Sequence, residues 1–236
     1  NHINLKDCAK NNIKVFSLLD NKKELNTITA SSEFTFLKIL NSLRNIEVGY
    51  NEVSNGRWRE NEDLMRGRQL SSKSVGIIGL GRIGGNIAKW SKAFGATVSF
   101  FDPYVKNKKY QNLSIKNIFS QSDIVCICCS YNQKTENLIK SKYLNSMKKN
   151  SILINTSRGE IIDEKSLIKL IKKRKDIIVN LDVIAGEVKN KQFDSELIKF
   201  HKNNQIKITP HISGATIESQ KIAANIAINL LEKNIY

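Results

Sequence analysis

From residue 73 onward, short apolar runs rich in β-branched residues alternate with segments of helical spacing. Residues 73–79, 97–101, 123–129, 151–155, 177–183 and 206–209 read as strands. Their apolar positions run on without alternating with polar ones, the pattern of strands buried on both faces. Between them, 82–94 carries Ile83, Ile87, Trp90 and Phe94 on one side of a helix. Residues 163–174 carry Leu167, Leu170 and Ile171 in the same way, with Asp163 placed to cap the first turn. Short helices are expected at 114–119 and 142–147, and a final helix at 215–231. This order of elements predicts an α/β fold built on a doubly wound parallel sheet.

The first seventy residues differ. A helix is expected at 5–11, a strand at 13–17, and a long helix at 31–48 carrying Phe34, Leu37, Leu40, Leu43 and Ile46. Residues 49–72 are mostly polar and read as a linker. These pieces do not make a self-sufficient lobe, since a separate doubly wound lobe needs roughly 100 residues. The chain also begins without Met, and a fragment of a longer protein is expected.

Composition narrows the function classes. The 236 residues are 40% hydrophobic and 25% charged, an ordinary globular mix. No apolar run approaches the ~20 residues of a membrane-spanning helix, and the start lacks the apolar core of a signal peptide, so a cytoplasmic protein without membrane contact is expected. The net charge of +16 comes from 30 Lys and 8 Arg scattered along the chain, with no basic stripe interleaved with aromatics. Nucleic acid is therefore not an expected partner. Cys126, Cys128 and Cys129 lack the paired spacing of zinc ligands, so no metal is expected, and the three read as small apolar side chains on a buried strand.

The chemistry begins at Gly79-Leu-Gly81-Arg82-Ile83-Gly84, which follows a predicted strand and opens a predicted helix. Gly79 would allow the tight turn, Gly81 the approach of a pyrophosphate, and Gly84 the close packing of helix on strand. The helix N-terminus then faces the phosphates. Asp102 follows the next strand, 18 positions past Gly84, where an acid hydrogen-bonds the adenosine ribose hydroxyls. A carboxylate there repels a 2′-phosphate, so NAD is expected rather than NADP.

Three more groups follow strands: Asn155-Thr156-Ser157-Arg158-Gly159, Asp182 to Glu187, and Thr209-Pro210-His211. In an open parallel sheet, ligands bind beyond the carboxyl ends of the strands, so all three share a rim with the glycine turn. There Arg158 can clamp a carboxylate or polarise a carbonyl, His211 can give and take a proton, and Glu187 can orient the imidazole and stabilise its protonated form.

These motifs, with Phe101-Asp-Pro103, Leu181-Asp-Val183, Glu33 and Gly56-Arg-Trp58, resemble the NAD-dependent D-isomer-specific 2-hydroxyacid dehydrogenases over nearly the whole chain. The look is most similar to the D-3-phosphoglycerate dehydrogenases. The resemblance implies catalytic roles for Arg158, Glu187 and His211; their separations, 29 and 24 positions, look like the family's. It implies cofactor contacts at Gly79, Gly81, Arg82, Ile83, Gly84, Asp102 and Thr156, and at Asp182 beside the nicotinamide carboxamide. It implies a Rossmann domain over 73–215, a linker over 49–72, and a partial flavodoxin-like substrate lobe formed by 1–48 with 216–236.

The substrate class it implies is a small D-2-hydroxy or 2-oxo acid. The segment 211–220 favours 3-phosphoglycerate, with glyoxylate or hydroxypyruvate reduction, or a non-catalytic NAD-sensing module, as alternatives. A homodimer is implied as well. The glycine-containing loop that usually receives the substrate carboxylate would lie upstream of residue 1. Ser72, Ser130 and Val188-Lys-Asn-Lys191 depart from the family pattern, and none of them removes a catalytic side chain.

Overall fold

Successive residues of each central strand feed two different apolar layers. Val75 and Ile77, Ile124 and Cys126, and Ile152 and Ile154 enter one layer; Ile78, Val125, Ile127 and Leu153 enter the other. The computed structural model describes residues 3–187, 195–202 and 205–235. Its sheet contains β1 (Ser74–Ile78), β2 (Thr97–Phe101), β3 (Gln111–Asn112), β4 (Ile124–Ile127), β5 (Ile152–Asn155), β6 (Ile178–Leu181) and β7 (Lys207–Ile208). The spatial order is β3-β2-β1-β4-β5-β6-β7, and every pair is parallel. The order reverses between β1 and β4, which opens a crevice at their carboxyl ends. This is the Rossmann-type α/β sheet expected from the sequence.

The helices, in chain order, are α1 (Leu5–Lys10), α2 (Lys22–Leu25), α3 (Ala30–Arg44), α4 (Ile46–Ser54), α5 (Glu62–Met65) and α6 (Arg82–Ala93). They continue with α7 (Ile115–Gln121), α8 (Ser141–Leu144), α9 (Glu164–Lys173), α10 (Glu196–Lys202) and α11 (Ile217–Ile235). Ile39 and Leu43 of α3 and Ile87 and Ala88 of α6 fill one layer. Phe119 of α7, Leu144 of α8 and Leu167, Leu170 and Ile171 of α9 fill the other. Asp163 caps α9 by accepting from Ser166 N at 2.7 Å. Gly76 has no room for a side chain: a Cβ would lie 2.3 Å from Ser122 Oγ and 2.7 Å from Ile118 Cγ2, so its absence lets α7 close on β1.

The chain forms two compact units, 31–213 and the pair of segments 1–30 and 214–236. The boundary falls after Ala30 rather than at 48, because α3 buries Ile39 and Leu43 in the sheet's own core. The expected single helix 31–48 is two helices. Asn45, at φ 48°, breaks the run, and α4 continues into the segment expected to be a linker. There Glu52 accepts from Arg57 Nε and Nη2 at 2.8 and 2.6 Å and from Asn61 Nδ2 at 2.6 Å, which organises the arm through 61.

In the smaller unit, α11 packs on α2 and on the single helical turn Leu18–Asp20, and Lys14 Nζ donates to Asn234 Oδ1 at 2.7 Å. The strand expected at 13–17 pairs with no other strand among the described residues. Ile226 is buried, but Leu5, Ile13, Leu19, Ile217 and Ile228 are each more than half exposed. Among its described residues this unit offers no partner edge for the hydrogen bonds of a strand. No helix among the described residues is long and apolar enough to cross a membrane.

Candidate functional site

The turn after β1 shows why each of its glycines is glycine. Gly79 has φ 91°, and a Cβ there would lie 2.6 Å from the Cα of Cys129. A Cβ on Gly84 would lie 2.1 Å from the carbonyl oxygen of Gly79, so only hydrogen lets α6 start so close to β1. Gly81 is different: a side chain there would meet nothing within 4 Å. It is the N-cap of α6 and makes no side-chain hydrogen bond to the first helical turn. That is the geometry a pyrophosphate fits. Arg82 and Ile83 form that first turn; the Ile83 side chain packs into the core, so its contribution to a cofactor is backbone.

Asp102, just past β2, ties this turn together. Its Oδ2 accepts from Leu80 N at 2.8 Å, and its Oδ1 from Tyr104 N and Val105 N at 2.9 and 3.2 Å. A carboxylate has about four lone-pair sites. Three are taken by backbone N–H groups, which fix the carboxylate at the edge of the turn, and Oδ2 keeps an acceptor site beside its bond to Leu80.

Arg158, Glu187 and His211 follow β5, β6 and β7, which are adjacent and parallel, so all three stand at one rim of the sheet. Glu187 Oε1 contacts His211 Nδ1, and Glu187 Oε2 accepts from Ile184 N at 3.3 Å. The Glu187 side chain is 12% exposed and the imidazole 39%, so the carboxylate lies behind the ring and the ring faces outward. Arg158 is exposed, and its Nη1 donates to Ser157 O at 2.7 Å. Its loop is set by Asn155, whose Nδ2 donates to Arg158 O at 2.9 Å and whose Oδ1 accepts from Ser157 N at 3.0 Å.

Gly159 links the Arg158 loop to the Glu187 turn. A Cβ on Gly159 would lie 2.0 Å from the carbonyl carbon of Ile184 and 2.2 Å from Ala185 N. Across the same contact, Gly186 N donates to Glu160 Oε1 at 3.1 Å. The sequence places Gly159 in a motif but gives no signal of this approach, which joins segments 25 positions apart. Asn155 and Glu160 are missed for the same reason.

Two of the expected cofactor residues are engaged elsewhere. Thr156 is buried, and its hydroxyl bonds Thr35 Oγ1 of α3 at 2.6 Å. Thr35 Oγ1 also bonds Ser31 O at 2.7 Å, so the Thr156 proton is spent on α3. Asp182 is fully buried and accepts from Thr209, Ile212 and Ser213, all in the loop that carries His211. Cys126 is buried on β4, and burial pushes its thiol up to about 12. Cys128 and Cys129 lie past the end of β4 and are half-buried, and burial pushes Cys129 up to about 11. Among the described residues, no cluster of His, Cys, Asp and Glu has the geometry for a metal ion. The departure at 188–191 lies outside the described residues.

Residues 36–213 match the family model for the D-isomer specific 2-hydroxyacid dehydrogenase, NAD binding domain. A D-3-phosphoglycerate dehydrogenase of Bacillus subtilis (strain 168) is 31% identical over 215 residues, 88% of this chain and 39% of that protein. Another, from Methanocaldococcus jannaschii, is 30% identical over 208 residues, 86% of this chain and 38% of its own length. Among solved structures, a D-lactate dehydrogenase from Aquifex aeolicus, complexed with NAD and lactic acid, has a TM-score of 0.84 and 23% identity. That match covers 100% of this chain and 73% of the other, and at this identity it is a likeness of fold. The chain spans between 38% and 60% of the length of the first curated relatives it matches.

Proposed function

This chain belongs to the D-isomer specific 2-hydroxyacid dehydrogenase family, with residues 36–213 as its NAD-binding domain, and from that premise we propose that it interconverts a 2-oxo acid and a D-2-hydroxy acid. The observation that carries the proposal is the Glu187–His211 pair at the rim it shares with the glycine turn that opens α6. When bound, NADH supplies the hydride for the carbonyl carbon. Gly79 and Gly84 let α6 start close against β1, Gly81 leaves space for its pyrophosphate, the backbone of Arg82 and Ile83 faces it, and Asp102 offers an acceptor to the adenosine ribose.

Arg158 clamps the substrate carboxylate and polarises the carbonyl through its planar fork. His211, with Nδ1 on Glu187, presents Nε2 to the carbonyl oxygen. In reduction, protonated His211 gives that oxygen a proton, and the Glu187 carboxylate stabilises the cation that gives it. In oxidation, neutral His211 takes the hydroxyl proton, and NAD, when bound, would accept the hydride.

The substrate is 3-phosphoglycerate and its 2-oxo partner phosphohydroxypyruvate. Segment 211–220 and the relatives named D-3-phosphoglycerate dehydrogenase support that reading. Residues 1–30 with 214–236 are part of a substrate lobe. The protein is cytoplasmic, where Cys8, Cys126, Cys128 and Cys129 stay reduced. It works as a homodimer: Tyr50, Val53, Trp58 and Leu64 on the 46–65 arm are each more than half exposed, and a second copy covers them.

The test is NADH oxidation with phosphohydroxypyruvate, hydroxypyruvate, glyoxylate and pyruvate. Turnover highest with phosphohydroxypyruvate supports the full reading. Preference for glyoxylate or hydroxypyruvate replaces the substrate and keeps the reaction. NADH binding without turnover on any acid indicates a sensing module.

A further inference from the structure

We propose that Asp182 is a positioning residue that fixes the backbone on both sides of His211 and so keeps the imidazole on Glu187. The proposal rests on the reading of His211 as the proton-transfer group. Asp182 is the first residue beyond β6 and has no exposed surface. Its Oδ1 accepts from Thr209 Oγ1 at 2.5 Å and from Ile212 N at 3.1 Å, and its Oδ2 accepts from Ser213 N at 2.8 Å. Its own carbonyl accepts from His211 N at 2.8 Å. One residue therefore receives four hydrogen bonds from the segment 209–213, two positions before His211 to two after it.

The backbone explains why a carboxylate is needed. His211 has φ 53°, in the left-handed region that only a few per cent of non-glycine residues adopt. This turn of the chain brings the N–H groups of Ile212 and Ser213 to one point, a small anion-binding concavity. The Asp182 carboxylate fills it. Without the Asp182 carboxylate, the buried Ser213 N–H and the Ile212 N–H would lose their charged acceptor, and the left-handed backbone at His211 would lose the support on its C-terminal side. The same count limits a direct cofactor role. Of about four lone-pair sites, three serve the loop, so at most one remains for a carboxamide.

The test uses the full chain with Asp182→Asn, Thr209→Val and Thr209→Ser. Asparagine keeps the shape but turns an N–H₂ toward one of the donors. Valine keeps the carboxylate and removes one donor, and serine returns that donor. Three quantities are read: amide hydrogen exchange at Ile212 and Ser213, the NADH Kd by fluorescence, and kcat with the preferred 2-oxo acid.

Asp182→Asn should speed exchange at both amides by on the order of tenfold or more, the size of a lost charge-assisted hydrogen bond. The kcat should fall while the NADH Kd stays within about threefold, the pattern of a lost transition-state contact rather than lost binding. Thr209→Val should move exchange and kcat in the same direction by less, and Thr209→Ser should restore both. Unchanged exchange in Asp182→Asn overturns the proposal, as does a weakened NADH Kd with the loop unaltered, which would make Asp182 a direct cofactor ligand. If Asp182→Asn does not fold, Thr209→Val carries the decision: unchanged exchange there overturns the proposal. Exchange reports on the loop whether or not the chain turns over an acid, so failure of the reaction assignment and failure of this proposal give different results.

Discussion

The carboxylate of Glu187 lies against Nδ1 of His211, and its second oxygen is held by the backbone N–H of Ile184. The imidazole is therefore oriented from behind, with Nε2 left for chemistry. Glu187→Gln keeps the shape and removes the charge that stabilises an imidazolium. The expected result is a kcat for 2-oxo acid reduction lower by about 10- to 100-fold, within the range that acid–base groups supply. The NADH Kd, measured by fluorescence titration, should not change.

Gly84 and Gly85 are neighbours with opposite expectations. A Cβ on Gly84 would lie 2.1 Å from Gly79 O, so Gly84→Ala must push α6 off β1 and spoil the pyrophosphate turn. Loss of NADH binding by at least about tenfold is expected, with a lower Tm. Gly85, inside α6, has nothing within 4 Å of a Cβ, so Gly85→Ala should stabilise the helix by up to about 1 kcal/mol. Thermal unfolding of the two variants checks the contrast.

Gly159→Ala should be among the most damaging substitutions outside Arg158, Glu187 and His211. The added methyl would collide with the backbone at Ile184 and Ala185, which cannot rotate away as a side chain could. A destabilisation of roughly 1–3 kcal/mol is expected from the overpacking, together with displacement of the Arg158 and Glu187 loops. The substrate KM should rise and kcat should fall together, measured beside a urea unfolding curve.

Lys38 on α3 is buried, and its Nζ donates to Asn180 Oδ1 on β6 at 2.7 Å. Burial pulls its pKa from 10.5 down to about 8, against an opposing pull from Asp182. Between these two values the unfolded chain holds a proton that the folded chain has released, so this group makes stability rise with pH across about 8 to 10.5. Urea midpoints at about pH 7.5 and 10 should show this rise in the wild type relative to Lys38→Met. Parallel midpoints in the two proteins would remove Lys38 as the source.

The parallel sheet was legible because buried strands carry continuous apolar runs, and 123–129 and 151–155 could hardly be anything else. The glycine turn was legible because its spacing encodes sterics that the structure bears out residue by residue: a positive φ at Gly79, open space at Gly81, and a close contact at Gly84. The break at Asn45 was not, since the apolar spacing runs through it and only its left-handed backbone ends α3. The strand expected at 13–17 is also absent, since among the described residues this run has no neighbouring strand to bond.

At the site, the triplet Arg158, Glu187 and His211 follows from strand ends, but the roles of Asp182, Asn155 and Gly159 do not. Those roles depend on which loop lies beside which, and that is decided by β5, β6 and β7 being neighbours. The fate of Thr156 has the same cause: its hydroxyl is claimed by Thr35, 121 positions away.

The most direct test of the account is NADH oxidation with the panel of 2-oxo acids, comparing the wild type with His211→Asn. Turnover is expected in the wild type and a loss of about 10²- to 10⁴-fold in His211→Asn, with the NADH Kd unchanged. Equal turnover in the two proteins, or NADH binding with no turnover of any acid in the wild type, would contradict it.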